Sequence, residues 1–488
     1  MCRQRLITVL GALILLAILC TWSLGTARYG GPDEPAHVLR AAAVADGQIY
    51  GELAPGLPPG YRSVLVPATL ATGDPACFRL EPARNGSCSR ATTRPGMSSV
   101  ATSAANYPPL YYALIGYPAK WLGRASDAGT YRLAAVIGNW FVLILLAARL
   151  RCYGHRALVM LATITPASWF LFGVVNPNGL EIALIALAWV GVARLHRTPF
   201  GVGALMWVGA PVAVAIVVRP VAVFAFVAMF GVLMSTRVGW RQLLILGLAP
   251  TLAVVAVEAW NLSIGLTVSD SRTQVSATPS AALWHSLTSL STTLGQAIGS
   301  LSWLELRAPW PVAALWCAMA GVTIGVTLRA VRPSRLGAWW LWVGTLVLTP
   351  IVFTLATYAR IGYIWQGRYS IPTLIGLAAL YLRSAGLQRS RLAPLWLGTY
   401  ALGEVTTFWV ALRRYVVGTN GSWWFAQNAR WEPSLPPLAL LVSHIVLVLA
   451  LAVIASAAFS GSASLSGDDD TRSERRSAGP QPRPVTAS

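Results

Sequence analysis

The chain has 488 residues, of which 55% are hydrophobic and only 11% charged, and its mean hydropathy is +0.59. So few charged groups cannot coat several water-soluble cores, which excludes the soluble multidomain, disordered and small disulfide-scaffold classes and leaves an all-α integral membrane protein. The net charge of +20 makes nucleic-acid binding a class to be tested, and the placement of the arginines tests it.

Residues 1–24 hold the first apolar run, Leu6 to Leu24, behind the basic flank Met1-Cys-Arg-Gln-Arg5. Gly25-Thr26-Ala27 offers a cleavage site, but the run suits an uncleaved signal anchor better than a signal peptide. On either reading the next segment lies outside. Residues 25–131 then form a large first extracytoplasmic loop rich in Pro and Gly, with short helices and the close pair Cys77 and Cys88, which can form a disulfide in an oxidising compartment. Within 132–260, spans are predicted at Leu133 to Leu150, Ala157 to Val175, Leu180 to Leu195, Gly201 to Val218, Val221 to Met234 and Leu243 to Trp260. A second extracytoplasmic loop covers 261–311. Spans resume in 312–459 at Val312 to Leu328, Ala338 to Thr357, Ile371 to Leu382, Ala393 to Leu412 and Leu438 to Phe459, with an outer loop at 413–437, which makes about twelve in all. Residues 460–488 have no apolar periodicity and read as a disordered cytoplasmic tail.

With both termini inside, the cytoplasmic connections collect Arg149, Arg151 and Arg156, then Arg194 and Arg197, Arg237 and Arg241, Arg329, Arg332 and Arg335, and Arg383, Arg389 and Arg391. The short outer turns have only Arg219. This positive-inside bias accounts for most of the basic excess, so no nucleic-acid partner is expected.

The most informative stretch follows the first span: Gly31-Pro-Asp-Glu-Pro-Ala-His37-Val-Leu-Arg40. Proline belongs in a first helical turn, and the alanine-rich run to Asp46 and Gly47 fits a short helix that stops at a glycine. Asp33, His37 and Arg40 then share one face. A carboxylate beside an imidazole at the membrane surface can take a proton from an attacking hydroxyl or hold a divalent metal ion. Helix capping by Asp33 and Glu34 is the alternative. Among carboxylates in or near spans, Glu181 and Glu305 have structural readings, the latter pairing with Arg307, whereas a mid-span Glu404 needs a partner that the sequence does not supply.

Pro32-Asp-Glu-Pro-Ala-His37, Asn106-Tyr-Pro-Pro-Leu-Tyr-Tyr112, Gly299-Ser-Leu-Ser-Trp-Leu-Glu305 and Gln366-Gly-Arg-Tyr369 followed by Pro372 resemble the bacterial membrane family of domain of unknown function 2142, over about Leu6 to Leu412. That family is in turn similar to GT-C glycosyltransferases, whose first outer loop carries acidic residues and whose donors are polyprenyl-phosphate sugars. The resemblance implies a GT-C-like architecture in a bacterial plasma membrane and a transferase that moves a sugar from such a donor to a cell-envelope acceptor on the outer face. It places Asp33 at the catalytic acidic position, with Glu34 as the alternate. Around them, His37, Arg40, Glu305, Arg360, Gln366 and Arg368 are expected to bind substrate, with arginine chosen because guanidinium pairs bidentately with phosphate and keeps its charge. A transporter or flippase of a lipid-linked saccharide, using Glu404 and Glu181 as coupling groups, is the second class.

Overall fold

A computed structural model describes residues 2–460 apart from 54–55, 58–59, 72–75, 90–94, 196–200, 236–237, 266–277, 332, 334–335, 385–390 and 426–427. Residues 461–488 of the expected tail, and Arg197, Arg237, Arg332, Arg335 and Arg389, lie outside the described residues. The described chain is mostly α-helical. Its strands form two small antiparallel ribbons, Arg62–Pro67 with Met97–Thr102 and Ser300–Leu301 with Leu306–Arg307.

Among the described residues six helices are long and apolar enough to cross a bilayer: Gln4–Gly25, Ala128–Thr163, Trp240–Ser263, Trp310–Ala330, Leu336–Ala359 and Pro437–Phe459. A bent pair, Pro166–Phe172 and Pro177–Arg194, meets at 119° and makes a seventh if counted as one broken span. The other expected segments are helical, but each departs from a straight apolar rod for a local reason. The segment expected from Ala157 to Val175 breaks at Ile164, whose ψ of 102° is extended just ahead of Thr165 and Pro166. Ala222–Met234 has 13 residues, too few for a core of about 30 Å at 1.5 Å per residue. Val202–Val218 contains a π-turn at Leu205–Gly209. The segment expected from Ile371 to Leu382 runs as two short helices, Gly367–Leu374 and Gly376–Arg383. Ala393–Val417 is 25 residues long, but Glu404, Arg413 and Arg414 reduce its apolarity.

The Pro177–Arg194 helix is apolar on every side because it is central: all of its residues but Arg194 are buried. Around it pack Ala128–Leu150, Ala210–Val218, Ala222–Met234 and Gly376–Arg383. The first helix, Cys2–Gly25, lies against the last, Pro437–Ser460, and Trp140 Nε1 donates to Ala12 O at 2.7 Å. One end of the bundle carries the arginine-rich connections. There Arg151 bonds Thr8 Oγ1, and Arg156 Nη2 donates to the carbonyls of Tyr381, Leu382 and Ser384, each at 2.9 Å, so a basic connection closes the exposed carbonyl end of a neighbouring helix.

The opposite end carries the folded first loop. Cys77 and Cys88 are joined by a disulfide. The segment they close packs Gly86 against Ala27 and Trp431, and Phe78 is wholly buried against Tyr415. This compact loop packs against the chain where it leaves the first helix, at Ala27 and Arg28.

Candidate active site

The turn that carries the two acidic residues is fixed from below. The carboxylate of Glu34, fully buried, accepts from Arg132 Nε and Nη2, both at 2.7 Å. It also accepts the backbone N–H groups of Gly31 at 2.9 Å and Val175 at 3.0 Å. Arg132 spends its remaining donors on the carbonyls of Ser23, Thr26 and Ala27 at the end of the first helix. Both Glu34 oxygens are therefore committed to holding the turn.

Asp33 sits at the N-cap of the Glu34–Ala45 helix with φ 59° and ψ 9°, yet its side chain makes no capping bond. The capping alternative fails for it: the carboxylate points instead to Arg368, whose Nη2 lies 2.7 Å from Oδ2. The Asp33 side chain remains 47% exposed while that of Arg368 is 6% exposed, so the open side of the pair is the carboxylate. Burial opposes the charge on Asp33, but Arg368, His37 and Arg219 outweigh it and hold the carboxyl below its ordinary range.

Arg368 is placed by Gln366-Gly-Arg-Tyr369, which opens the Gly367–Leu374 helix. Gly367 has no room for a side chain, because a Cβ there would meet the backbone of Thr293 and Ala297, and its N–H donates to Gln296 Oε1 at 2.9 Å. Nε and Nη1 of Arg368 are buried without a protein hydrogen-bond partner. Gln366 Oε1, close by in the chain, is in the same condition. Such a guanidinium is a half-used donor set, complementary to an oxyanion.

Arg219 joins this group, a residue the sequence offers either as a second phosphate ligand or as a snorkelling turn residue before Pro220. It is 8% exposed, its Nη2 donates to Tyr369 Oη at 3.2 Å, and its guanidinium lies over the rings of Tyr107 at 4.8 Å and Tyr369 at 5.4 Å. Behind it, Glu181 is fully buried, accepts from Asn178 Nδ2 at 2.7 Å and has Oε1 unpartnered. Arg219 and Arg368 both act on it electrostatically. The signal for Arg219 in the sequence is its isolation as the one charge of the short outer turns.

His37 and Arg40 follow Asp33 on the same helix. His37 Nδ1 lies 3.0 Å from Tyr112 Oη, and the two rings stack. Burial pushes the imidazole down to about 3, against the opposing pull of Asp33 and with Arg219 and Arg368 adding to it, so it is neutral at physiological pH. Arg40 ties the loop together through the carbonyls of Gln48, Ile49 and Tyr107. It frames the site without facing Asp33.

One expected binding residue lies elsewhere. Glu305 pairs with Arg414 at 2.9 Å, their side chains 7% and 0% exposed, rather than with Arg307. Arg414 also holds the carbonyls of Phe78 and Arg84, so the pair staples the disulfide loop to the Ala393–Val417 helix. Arg360 falls in the last turn of the Leu336–Ile361 helix, with its side chain outside the described residues. Glu404, for which the sequence supplies no partner, accepts from Trp22 Nε1 at 3.0 Å and lies 4.0 Å from His444 Nε2. Around Asp33 stand two guanidiniums, Arg368 and Arg219, and a histidine bonded to Tyr112. Among the described residues no group of three His, Cys, Asp or Glu side chains comes together.

Three of the four sequence motifs thus meet at one place: Asp33 and His37, Tyr107 and Tyr112, and Arg368 and Tyr369. No curated protein matches the chain. The segment that supplies Asp33, Glu181, Arg219 and Arg368 falls wholly within residues 15–377, which match the profile described as a predicted membrane protein, DUF2142, and the chain belongs to that family.

Proposed function

We propose that this protein is a GT-C-like membrane glycosyltransferase, with about twelve membrane segments and cytoplasmic termini in a bacterial plasma membrane, that moves a sugar from a polyprenyl-phosphate donor to a cell-envelope acceptor on the outer face. The observation that carries the reading is the meeting of a half-exposed carboxylate, Asp33, with two buried guanidiniums, Arg368 and Arg219. The positive-inside distribution supports placing that meeting at the outer membrane surface. Transfer requires a base for the acceptor hydroxyl and a clamp for the departing phosphate.

In this scheme the lipid phosphate takes the unused donors of Arg368 and the N–H edge of Arg219. The acceptor oxygen attacks the anomeric carbon, its proton passes to Asp33, and the bond from the anomeric carbon to the phosphate oxygen breaks with its electron pair on the phosphate. The guanidinium that holds Asp33 ionised in the resting protein is the one the phosphate engages, so donor binding weakens the hold on the base and raises its proton affinity.

Reconstitution of the full chain with radiolabelled polyprenyl-phosphate sugars and candidate acceptors tests the proposal. Transfer by the native chain that falls about a hundredfold or more in Asp33→Asn is the expected result. Unchanged transfer in that variant removes Asp33 from its role, and movement of the lipid-linked sugar across the bilayer without transfer favours the flippase.

A further inference from the structure

We infer that a second cleft, sharing no residue with the Asp33 and Arg368 site, binds the phosphodiester head of a bilayer phospholipid. The cleft holds about 620 Å³ and runs between the end of the first helix and the start of Ala128–Leu150, a size ordinary for a small-molecule site. Its two ends differ in chemistry. One wall is apolar, from Cys20, Leu24, Leu133 and Val136, and Leu24 and Leu133 are 36% and 47% exposed on the outside of two membrane-crossing helices. Acyl chains must cover those residues, so the cleft opens onto lipid. The other wall is polar and carries Arg28 and Arg132 together with Glu432 and Asp127, the last with both carboxylate oxygens taken by Gly129 N–H and Thr130 Oγ1.

Arg132 is saturated by Glu34 and three carbonyls, but Arg28 is not. Its Nη2 donates to Thr69 O at 2.6 Å and Tyr29 Oη at 3.2 Å, its Nε is buried without a hydrogen-bond partner, and it takes part in none of the ion pairs among the described residues. A partly buried guanidinium with no ion-pair partner within 4.0 Å among the described residues, at the level where two spans leave the hydrocarbon, is matched by a phosphodiester oxygen. A phospholipid is favoured over a soluble phosphate because the same cleft has an acyl-facing wall and opens into a phase where phospholipids are the bulk component. Arg132 lines the cleft and also clamps Glu34, one residue from Asp33.

This inference is independent of the transferase reading, and its test needs no turnover. The full chain in detergent is titrated with phosphatidylethanolamine, phosphatidylglycerol, diacylglycerol and glycerophosphate, with thermal melting and native mass spectrometry as readouts. Both phospholipids are expected to raise the melting temperature and to remain bound, while diacylglycerol and glycerophosphate do neither. Arg28→Gln is expected to weaken phospholipid binding about tenfold, as the loss of a charge-assisted bond does, with the lipid-induced rise in melting temperature read against the lipid-free chain of the same variant. Should that variant fail to fold, Arg28→Lys keeps the charge and is expected to bind severalfold more weakly with the same order of preference. Equal stabilisation by diacylglycerol, stabilisation by glycerophosphate alone, or unchanged affinity on losing Arg28 overturns the inference.

Discussion

Asp33 and Glu34 are adjacent carboxylates with opposite jobs, and replacing each separately shows it. The Glu34 and Arg132 side chains are 0% and 9% exposed, and Glu34→Ala removes one partner of that pair, which costs about 3–5 kcal/mol in a buried setting. The same change strands the N–H groups of Gly31 and Val175, now bonded at 2.9 and 3.0 Å, at about 1 kcal/mol or more each. The sum, about 5 kcal/mol or more, equals the whole margin of a marginally stable protein. Asp33→Asn leaves Arg368 facing a neutral carbonyl at a half-exposed position, a change of about 1 kcal/mol. In detergent, followed by tryptophan fluorescence and size exclusion on heating, Glu34→Ala should aggregate or melt far below the native chain while Asp33→Asn melts close to it and has lost transfer. A Glu34→Ala protein that melts like the native one refutes the clamp; one that is stable but inactive makes Glu34 a chemical group.

Arg219→Gln should weaken binding of a polyprenyl phosphate about tenfold or more, measured by equilibrium binding to the solubilised chain, and Arg219→Lys should recover little because the two flanking rings fit a planar cation; native affinity in either variant returns Arg219 to a turn role. For His37, the folded value of about 3 lies below the 6.5 of the unfolded chain, so between those two values the unfolded state binds a proton that the native state refuses. Stability therefore rises with pH across that window, by up to about 1.4 kcal/mol per pH unit, and is complete above it. In His37→Gln the slope of unfolding free energy against pH, from denaturant titrations between about pH 4 and 7, should flatten by roughly that amount, and an unchanged slope would show that His37 is protonated in the fold.

The helical class and the place of the Pro-Asp-Glu turn are legible in the sequence because each rests on a local signal, apolar runs and a proline-flanked acidic pair directly after one, whereas the meeting of Asp33 with Arg368 spans 335 residues and is legible only as far as both fall on the outer side. Continuous spans are less legible, since hydropathy registers burial and not what does the burying. Ile371 to Leu382 is the clear example, apolar because protein surrounds it and divided into two helices. The partners of Glu305 and Glu404 are illegible for another reason. Arg414 and Trp22 lie 109 and 382 residues away, and no periodicity links residues at such separations.

The geometry of the turn explains why two carboxylates are needed where one does chemistry. A non-glycine residue at φ 59° is uncommon, tolerated best by Asp and Asn, and persists only where its surroundings fix it. Here the surroundings are explicit: Tyr415 Oη donates to Gly30 O at 3.0 Å, Asn176 Nδ2 to Pro32 O at 2.8 Å, and Glu34 draws in Gly31, Val175 and Arg132. With residues on both sides tied down, the left-handed conformation at Asp33 turns its side chain out of the capping position and toward Arg368. Asp33→Ala should therefore keep the turn closed through those flanking bonds, whereas Asn176→Ala, which never touches Arg368, should loosen it and lower transfer while leaving the carboxylate in the chain. Comparable activity in Asn176→Ala and the native protein would mean that the turn holds its shape without that bond.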